Sequence, residues 1–191
     1  YREEIRDKMR LQLQIPQDAF VIGHVGRFGH MKNHTFLVDV FEQVIKKLPS
    51  SMLLLVGEGG LQDMIKEKAA ALGLADKVIF TGNQADVSDY YQAMDFFVFP
   101  SVFEGLPGTV IEAQASGLRC LVSDSVTPEV LITELAQAEP LSLGAGAWAA
   151  NVLERKEYVR NQMTQAIKAA GFDVSDQVKM LEKIYLQENC Q

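Results

Sequence analysis

Cysteine and long apolar runs are scarce in this sequence, and each scarcity excludes a class of protein. Two cysteines in 191 residues, Cys120 and Cys190, cannot build a disulfide framework, so we expect a reducing, cytoplasmic location. No apolar stretch approaches the roughly 20 residues that a membrane-spanning helix needs. At most peripheral contact with a membrane is therefore expected.

Positive charge is also in deficit. The sequence holds 18 Lys and Arg against 25 Asp and Glu, a net charge of −7, and no basic cluster stands out. This balance argues against a nucleic-acid partner. The hydrophobic fraction of 48% is ordinary for a globular domain, so 191 residues suffice to bury a substantial core.

Two familiar phosphate-binding motifs are missing. Gly23, Gly26 and Gly29 are spaced G-x-x-G-x-x-G, which differs from the dinucleotide pattern G-x-G-x-x-G. The sequence has no G-x-x-x-x-G-K-[ST] either, so P-loop chemistry is not expected.

Short apolar runs alternate with helical patterns along the chain. Strands are predicted at 20–25, 52–56, 77–81, 96–99 and 120–123, with weaker candidates at 130–132 and 141–143. Helices are predicted at 2–13, 33–48, 61–72, 87–94, from about 107–109, and at 148–153, 158–170 and 174–188. Because the strands lack polar alternation, we predict a single doubly wound, Rossmann-like α/β domain with a parallel sheet of five or six strands and helices on both faces.

Ligands of such sheets bind beyond the carboxyl ends of the strands. The turns at 26–32, 57–60, 82–83 and 100–108 each follow a predicted strand, so we expect them to share one rim. The first carries Arg27 and Lys32 beside a helix that Asn33 is expected to cap. A guanidinium and an ammonium next to helix N–H groups could clamp a diphosphate, although two solvated loop cations fit the pattern equally well.

Two carboxylates mark the stretch 100–124, which ends one strand and begins a helix near Pro107–Thr109, with Thr109 as a possible cap. Glu104 lies in the turn, and Glu112 lies about one helical turn inside the helix. A ligand across this helix end could contact both acids and the backbone amides. The plainer alternative is a solvated loop acid and a helix-dipole partner.

Other candidate positions are less distinctive. The turn Gly57-Glu58-Gly59-Gly60 permits close backbone approach, although a simple tight turn explains it too. His30 could contact a phosphate, but the three scattered histidines do not have the spacing of a zinc site.

The acidic stretch resembles the Glu-x7-Glu signature E-G-[FL]-P-x-x-x-x-E-A-x-A-x-G of family 4 retaining glycosyltransferases. The residues that match are Glu104, Gly105, Leu106, Pro107, Glu112, Ala113, Ala115 and Gly117. Gly108 and Arg119 depart from the usual pattern without removing a functional group. The first turn, G-R-F-x-x-x-K-N, is similar to the family's first-turn pattern, and the resemblance runs from about Arg10 to Tyr185 and looks closest to bacterial capsular and exopolysaccharide enzymes.

The resemblance implies a role for each part of the rim. Arg27 and Lys32 would hold the pyrophosphate and stabilise it as it leaves, Glu104 would accept hydrogen bonds from the donor sugar, and Glu112 would bind the ribose hydroxyls. We expect Arg27, Lys32 and Glu104 to be catalytic, without a metal or other cofactor. The expected nucleotide-sugar-binding residues are Gly26, Arg27, Lys32, Gly57, Glu58, Gly82, Asn83, Glu104, Gly105, Leu106, Pro107, Gly108, Thr109 and Glu112.

The resemblance also implies that residues 1–191 are the donor-binding half of a two-domain GT-B enzyme, with C-terminal helices at about 144–188 and the N-terminal acceptor domain absent. Such an enzyme would move a sugar, with retention, from a UDP-sugar to a glycan or lipid-linked acceptor in surface polysaccharide synthesis, in the cytoplasm or at the inner face of the membrane. This piece alone is expected to be inactive. Two alternatives remain open: another GT-B enzyme such as an epimerase, and a flavodoxin-like signalling module, although a receiver-type module needs acidic residues where this chain has Gly26 and Arg27.

Overall fold

The computed structural model describes residues 1–188 and has a six-stranded sheet at its centre. The strands are β1 (Val21–Val25), β2 (Met52–Val56), β3 (Val78–Phe80), β4 (Phe96–Phe99), β5 (Arg119–Ser123) and β6 (Ala136–Glu139). They are all parallel, in the order β3-β2-β1-β4-β5-β6. The predicted doubly wound α/β class is confirmed.

The sheet reverses its direction of growth between β1 and β4. The chain proceeds outward from β1 to β3 and then returns to place β4 on the other side of β1, where Ile22 pairs with Phe96. This is a topological switch point, and the loops that follow the two flanking strands diverge around a crevice. The loops after β1 and β4 are those that carry Arg27, Lys32 and Glu104.

Helices cover both faces of the sheet. Within residues 1–188 they are α1 (Glu3–Gln12), α2 (His34–Ile45), α3 (Gln62–Ala71), α4 (Ser88–Ala93), α5 (Gly108–Ala115), α6 (Gly144–Glu154), α7 (Thr164–Ala169) and α8 (Val174–Glu188). Short 3-10 turns occupy His30–Lys32, Ala75–Lys77, Pro128–Val130 and Leu141–Leu143. No helix among these residues is both long enough and apolar enough to cross a bilayer.

The core has two apolar layers because the fully buried strands point alternate side chains to opposite faces. Leu54 and Phe97 pack on one face with residues of α1, α4 and α5. Leu53 and Phe96 pack on the other with residues of α2, α3 and α6. Trp148 of α6 is fully buried there, and its ring meets Phe36 of α2 edge-on at 5.4 Å.

The two weak strand predictions were wrong. Val130 ends a 3-10 turn, and residues 141–143 form another, while the sixth strand is Ala136–Glu139. Its sequence, AQAE, lacks an apolar run because β6 is a half-buried edge strand that pairs only with β5. Backbone pairing therefore defines this strand, and hydrophobic periodicity does not reveal it.

Two helix starts and two predicted caps also differ from expectation. The helix predicted at 148–153 begins already at Gly144. The helix predicted at 158–170 begins only at Thr164, because Arg160 fixes the preceding irregular segment by donating to the carbonyls of Tyr91, Met94 and Ser116. Asn33 precedes α2 in a left-handed conformation without a side-chain cap. Pro107 occupies the N-cap position of α5, so Thr109 lies inside the helix and does not cap it.

Candidate active site

The loop after β1 is tied to the loop after β2. The buried Phe28 donates its N–H to the carbonyl of Glu58 at 3.0 Å, and its own carbonyl accepts from Leu61 at 3.2 Å. The Phe28 ring stacks on His34 at 4.1 Å between centroids. This anchoring leaves the neighbouring Arg27 side chain exposed at the rim.

Two glycines let these loops meet a third one. Gly57 has φ of +132°, and a Cβ added there would lie 2.3 Å from the carbonyl oxygen of Gly26. Its N–H donates to the carbonyl of Gly82 at 2.9 Å, and Gly82 has φ of +71°. A side chain at position 57 would thus separate the turns after β1, β2 and β3.

An ion pair joins the loops on either side of the crevice. Lys32 Nζ lies 2.8 Å from Glu104 Oε1 and 4.5 Å from the centroid of the Phe99 ring. The backbone follows the same connection, since Val102 donates its N–H to the carbonyl of Met31 at 2.9 Å. Both charged side chains keep about a fifth of their surface exposed, 19% and 21%, so they remain accessible to a ligand.

Glu112 is held by a tyrosine that the motifs did not indicate. The hydroxyl of Tyr91 on α4 lies 2.8 Å from Glu112 Oε2 and 3.2 Å from the Thr109 carbonyl, which places it between both residues on α5. Burial, followed by the negative charge of Glu112, raises the pKa of Tyr91. The phenol therefore stays protonated and can donate to the carboxylate.

These turns enclose a cleft of about 720 Å³ at the carboxyl ends of the strands. Its lining includes the carboxylates of Glu58 and Glu112 and the guanidinium of Arg27. The residues that line it are Val25, Gly26, Arg27, Val56, Gly57, Glu58, Gly59, Gln62, Asn83, Gln84, Val87, Thr109 and Glu112. A volume of this size suits a drug-sized or nucleotide-sized ligand.

A second cleft, of about 710 Å³, lies at the opposite side of the sheet, at the amino ends of the strands. Cations of this second cleft already have partners within the protein, since Arg160 donates to the carbonyls of Tyr91 and Met94, and Lys156 forms an ion pair with Glu157. The first cleft has the free guanidinium, because Arg27 forms no ion pair with any residue in 1–188. The first cleft is therefore the candidate functional site.

Comparison with known proteins identifies the family. The sequence profile described as "Glycosyl transferases group 1" matches residues 5–170, most of the chain. The chain belongs to the group 1 glycosyltransferases. Its sheet and helices form the single Rossmann-like domain that the resemblance implied.

Relatives of this glycosyltransferase domain are mostly longer. EpsF of Bacillus subtilis (strain 168), provisionally named a glycosyltransferase, is 34% identical over 187 residues, which are 94% of this chain and 48% of EpsF. The Escherichia coli "UDP-Gal:alpha-D-GlcNAc-diphosphoundecaprenol alpha-1,3-galactosyltransferase" is 31% identical over 115 residues, 59% of this chain and 30% of that protein. The chain thus spans half or less of these relatives' length.

Solved structures share the fold at low identity. Anabaena Alr3699/HepE in complex with UDP and glucose has a TM-score of 0.79 at 21% identity, over 97% of this chain and 52% of that one. The C-terminal domain of the group 1 glycosyltransferase LpcC from Francisella tularensis has a TM-score of 0.71 at 19% identity, over 91% of this chain and 94% of that one.

The candidate cleft brings together many of the residues predicted from sequence. Those lining the cleft are Gly26, Arg27, Gly57, Glu58, Asn83, Thr109 and Glu112. Lys32 and Glu104 lie beside it as an ion pair, and Gly82 supports it through Gly57. The residues between Glu104 and Thr109 do not line the cleft: Gly105, Leu106 and Gly108 are exposed, and Pro107 is buried. Sequence reasoning missed Gln62, Gln84, Val87 and Tyr91.

The histidines form no metal site among residues 1–188, where no group of three or more potential ligands is present. His24 is fully buried, and burial followed by the charge of nearby His34 lowers its pKa well below the ordinary value. Burial and the charge of Lys32 lower the pKa of His34 to about 4. His30 is exposed beside Lys32, and its suggested phosphate contact stays a prediction.

Proposed function

We propose that this chain is the donor-binding domain of a retaining glycosyltransferase and that it binds a nucleoside diphosphate sugar, most specifically a UDP-sugar. The observation that carries the proposal is the meeting of Arg27, Lys32, Glu104 and Glu112 around one cleft at the topological switch point. These residues come from distant segments of the chain. A rim with separate cationic and acidic parts fits a ligand that has both phosphates and hydroxyl groups.

The bond that breaks in the reaction joins the anomeric carbon of the sugar to a phosphate oxygen. Negative charge builds on the departing diphosphate, so cations near that oxygen stabilise the transition state more than the ground state. Lys32 and Arg27 are the cations available at this rim. Lys32 also holds Glu104, and we assign to Glu104 the donor-sugar hydroxyls and to Glu112 the ribose.

The names of similar proteins support the choice of UDP. The E. coli relative is named for a UDP-Gal donor and a diphosphoundecaprenol acceptor, and HepE was solved with UDP and with UDP-glucose. We infer a glycan or lipid-linked acceptor, bound by a further domain of a longer protein at the cytoplasmic face of a membrane. We also propose that binding needs no metal, because Lys32, Arg27 and the amides at the start of α5 supply positive charge.

Calorimetric titration of the chain with UDP, UDP-glucose, GDP and ADP, each with magnesium and with EDTA, tests the proposal. We expect UDP to bind best and to bind equally well in EDTA. Removing a charge-assisted contact in Arg27→Ala, Lys32→Ala or Glu112→Gln should weaken UDP binding about tenfold or more. The matched controls are Lys47→Ala and Glu154→Gln, which remove exposed charges at the amino ends of the strands, away from the cleft.

Four results would contradict the proposal. The first is the absence of nucleotide binding by the wild-type chain, and the second is UDP binding by the three variants that equals that of the controls. Strictly magnesium-dependent binding would favour a signalling module instead. With the full-length protein, conversion of a UDP-sugar to its epimer without an acceptor would favour the epimerase alternative.

A further inference from the structure

Tyr91 occupies a position that no sequence motif assigns to the site. Its side chain is buried, with the residue only 1% exposed, yet its hydroxyl reaches the wall of the cleft. It enters from α4, whereas Glu112 belongs to α5. The contact therefore depends on how these two helices pack.

The hydroxyl contacts one oxygen of the Glu112 carboxylate and leaves the other available. Tyr91 Oη lies 2.8 Å from Oε2, while Oε1 has no hydrogen-bond partner among residues 1–188 and lies 3.9 Å from where a Cβ on Gly108 would be. A free glutamate side chain samples several rotamers, and fixing it before the ligand arrives lowers the entropy cost of binding. Gly108 also leaves room beside Oε1, because it has no side chain.

We propose that Tyr91 is a positioning residue that fixes the Glu112 carboxylate so that Oε1 accepts a hydrogen bond from a ribose hydroxyl of the nucleotide. This inference rests on the proposed function. It predicts that the loss of the tyrosine hydroxyl affects only ligands that have the hydroxyl which Glu112 binds. A purely structural role for Tyr91 would affect all nucleotides alike.

The test compares UDP, 2′-deoxy-UDP and 3′-deoxy-UDP in calorimetric titrations of the wild type and Tyr91→Phe. We expect Tyr91→Phe to bind UDP about three- to tenfold more weakly, the range for losing or weakening one hydrogen bond to a charged group. At least one deoxy analogue should bind the variant and the wild type within about twofold of each other. In the Glu112→Gln background, adding Tyr91→Phe should change UDP affinity by less than about twofold, because the two side chains act through one contact.

Tyr158→Phe is the matched control. Its hydroxyl is also part of a half-buried network, with the Arg119 N–H at 3.1 Å and the Gly117 carbonyl at 3.1 Å, but it lies at the amino ends of the strands. This variant should alter stability without altering the ratio of UDP to deoxy-UDP affinity. Thermal unfolding of each variant confirms that it is folded at the assay temperature.

The outcomes separate the two proposals. If the wild type binds UDP and Tyr91→Phe weakens UDP and both analogues by the same factor, or weakens none, the positioning role is wrong while the proposed function stands. If the wild type does not bind UDP, the proposed function fails and this inference fails with it.

Discussion

Arg10 should contribute more to stability than any surface charge of this domain, although it lies far from the active site. It is fully buried and donates four hydrogen bonds: to Asp95 Oδ2 at 2.7 Å and to the carbonyls of Ala19, Gln17 and Ala93 at 2.8, 3.0 and 3.0 Å. Asp95 also accepts the N–H of Val21 at 2.7 Å. Arg10 thus joins α1 to the starts of β1 and β4, the two strands at the switch point.

Arg10→Ala leaves a carboxylate and three carbonyls without this donor. Breaking a buried ion pair costs about 3–5 kcal/mol, and we expect about 3 kcal/mol because water can reach Asp95, whose side chain is 26% exposed. This is a large part of the roughly 5–15 kcal/mol that stabilises a typical domain. The melting temperature should fall by about 6–12 °C, at about 2–4 °C per kcal/mol for a domain of this size.

Urea denaturation followed by circular dichroism measures the change in the free energy of unfolding. The control is Arg2→Ala, whose side chain is 63% exposed and lies 3.9 Å from Asp89, and which should change stability by less than about 1 kcal/mol. The double variant Arg10→Met/Asp95→Asn should recover part of the loss, because no charge is left unpaired. If Arg10→Ala costs no more than Arg2→Ala, the assignment of stability to this network is wrong.

Three further predictions concern the rim and the helices behind it. Gly57→Ala should abolish detectable UDP binding in calorimetry, because the added Cβ would lie 2.3 Å from the Gly26 carbonyl oxygen. The control Gly60→Ala, whose Cβ would enter open space, should bind UDP as the wild type does. Equal UDP affinities of the two variants would contradict this prediction. The pKa of His34 is lowered to about 4 from 6.5, so its contribution to stability is present above pH 6.5 and is lost as the pH falls towards 4, at up to about 1.4 kcal/mol per pH unit. The urea midpoint of His34→Phe should therefore fall less steeply with falling pH than that of the wild type. Parallel curves of midpoint against pH would contradict this. Arg160→Ala should lower the free energy of unfolding in urea by about 2–4 kcal/mol, because the half-buried guanidinium would no longer donate to the carbonyls of Tyr91 and Ser116 at the ends of α4 and α5. A loss below about 1 kcal/mol would contradict this role.

Most of the fold could be predicted because its strongest signals are local. Buried parallel strands read as continuous apolar runs, and β1 to β5 were each located from such runs to within one or two residues. The edge strand β6 has no such signal, since its identity depends on pairing with β5 through residues such as Ala136 and Cys120. The helix predicted from residue 158 was shortened by the contacts of Arg160 and Tyr158 with distant backbone. Long-range contacts of this kind are invisible to periodicity, and the prediction for Cys190 lies outside the described residues.

The candidate site shows the same division. The rule that ligands bind beyond the carboxyl ends of parallel strands was enough to predict that Arg27 and Glu112, which are distant in sequence, line one cleft. The ion pair of Lys32 with Glu104 could not be predicted, because it depends on two loops crossing a crevice. Tyr91 could have been suspected only from the spacing of α4 and α5, which sequence alone does not give.

The ion pair between Lys32 and Glu104 leads to a prediction that separates the roles of the two acids. Glu104 neutralises part of the charge that Lys32 would offer to a diphosphate, so Glu104→Gln should strengthen UDP binding. A unit charge about 4 Å away is worth about 1 kcal/mol in a water-exposed setting, which corresponds to roughly fivefold in affinity. The same variant should lose affinity for UDP-glucose relative to UDP, because the amide cannot replace a carboxylate as acceptor of two sugar hydroxyls. Glu112→Gln should instead weaken both ligands equally, since both contain the ribose. Calorimetry with the two ligands distinguishes these patterns, and a Glu104→Gln variant that binds UDP more weakly would show that Glu104 supports the nucleotide and not the sugar.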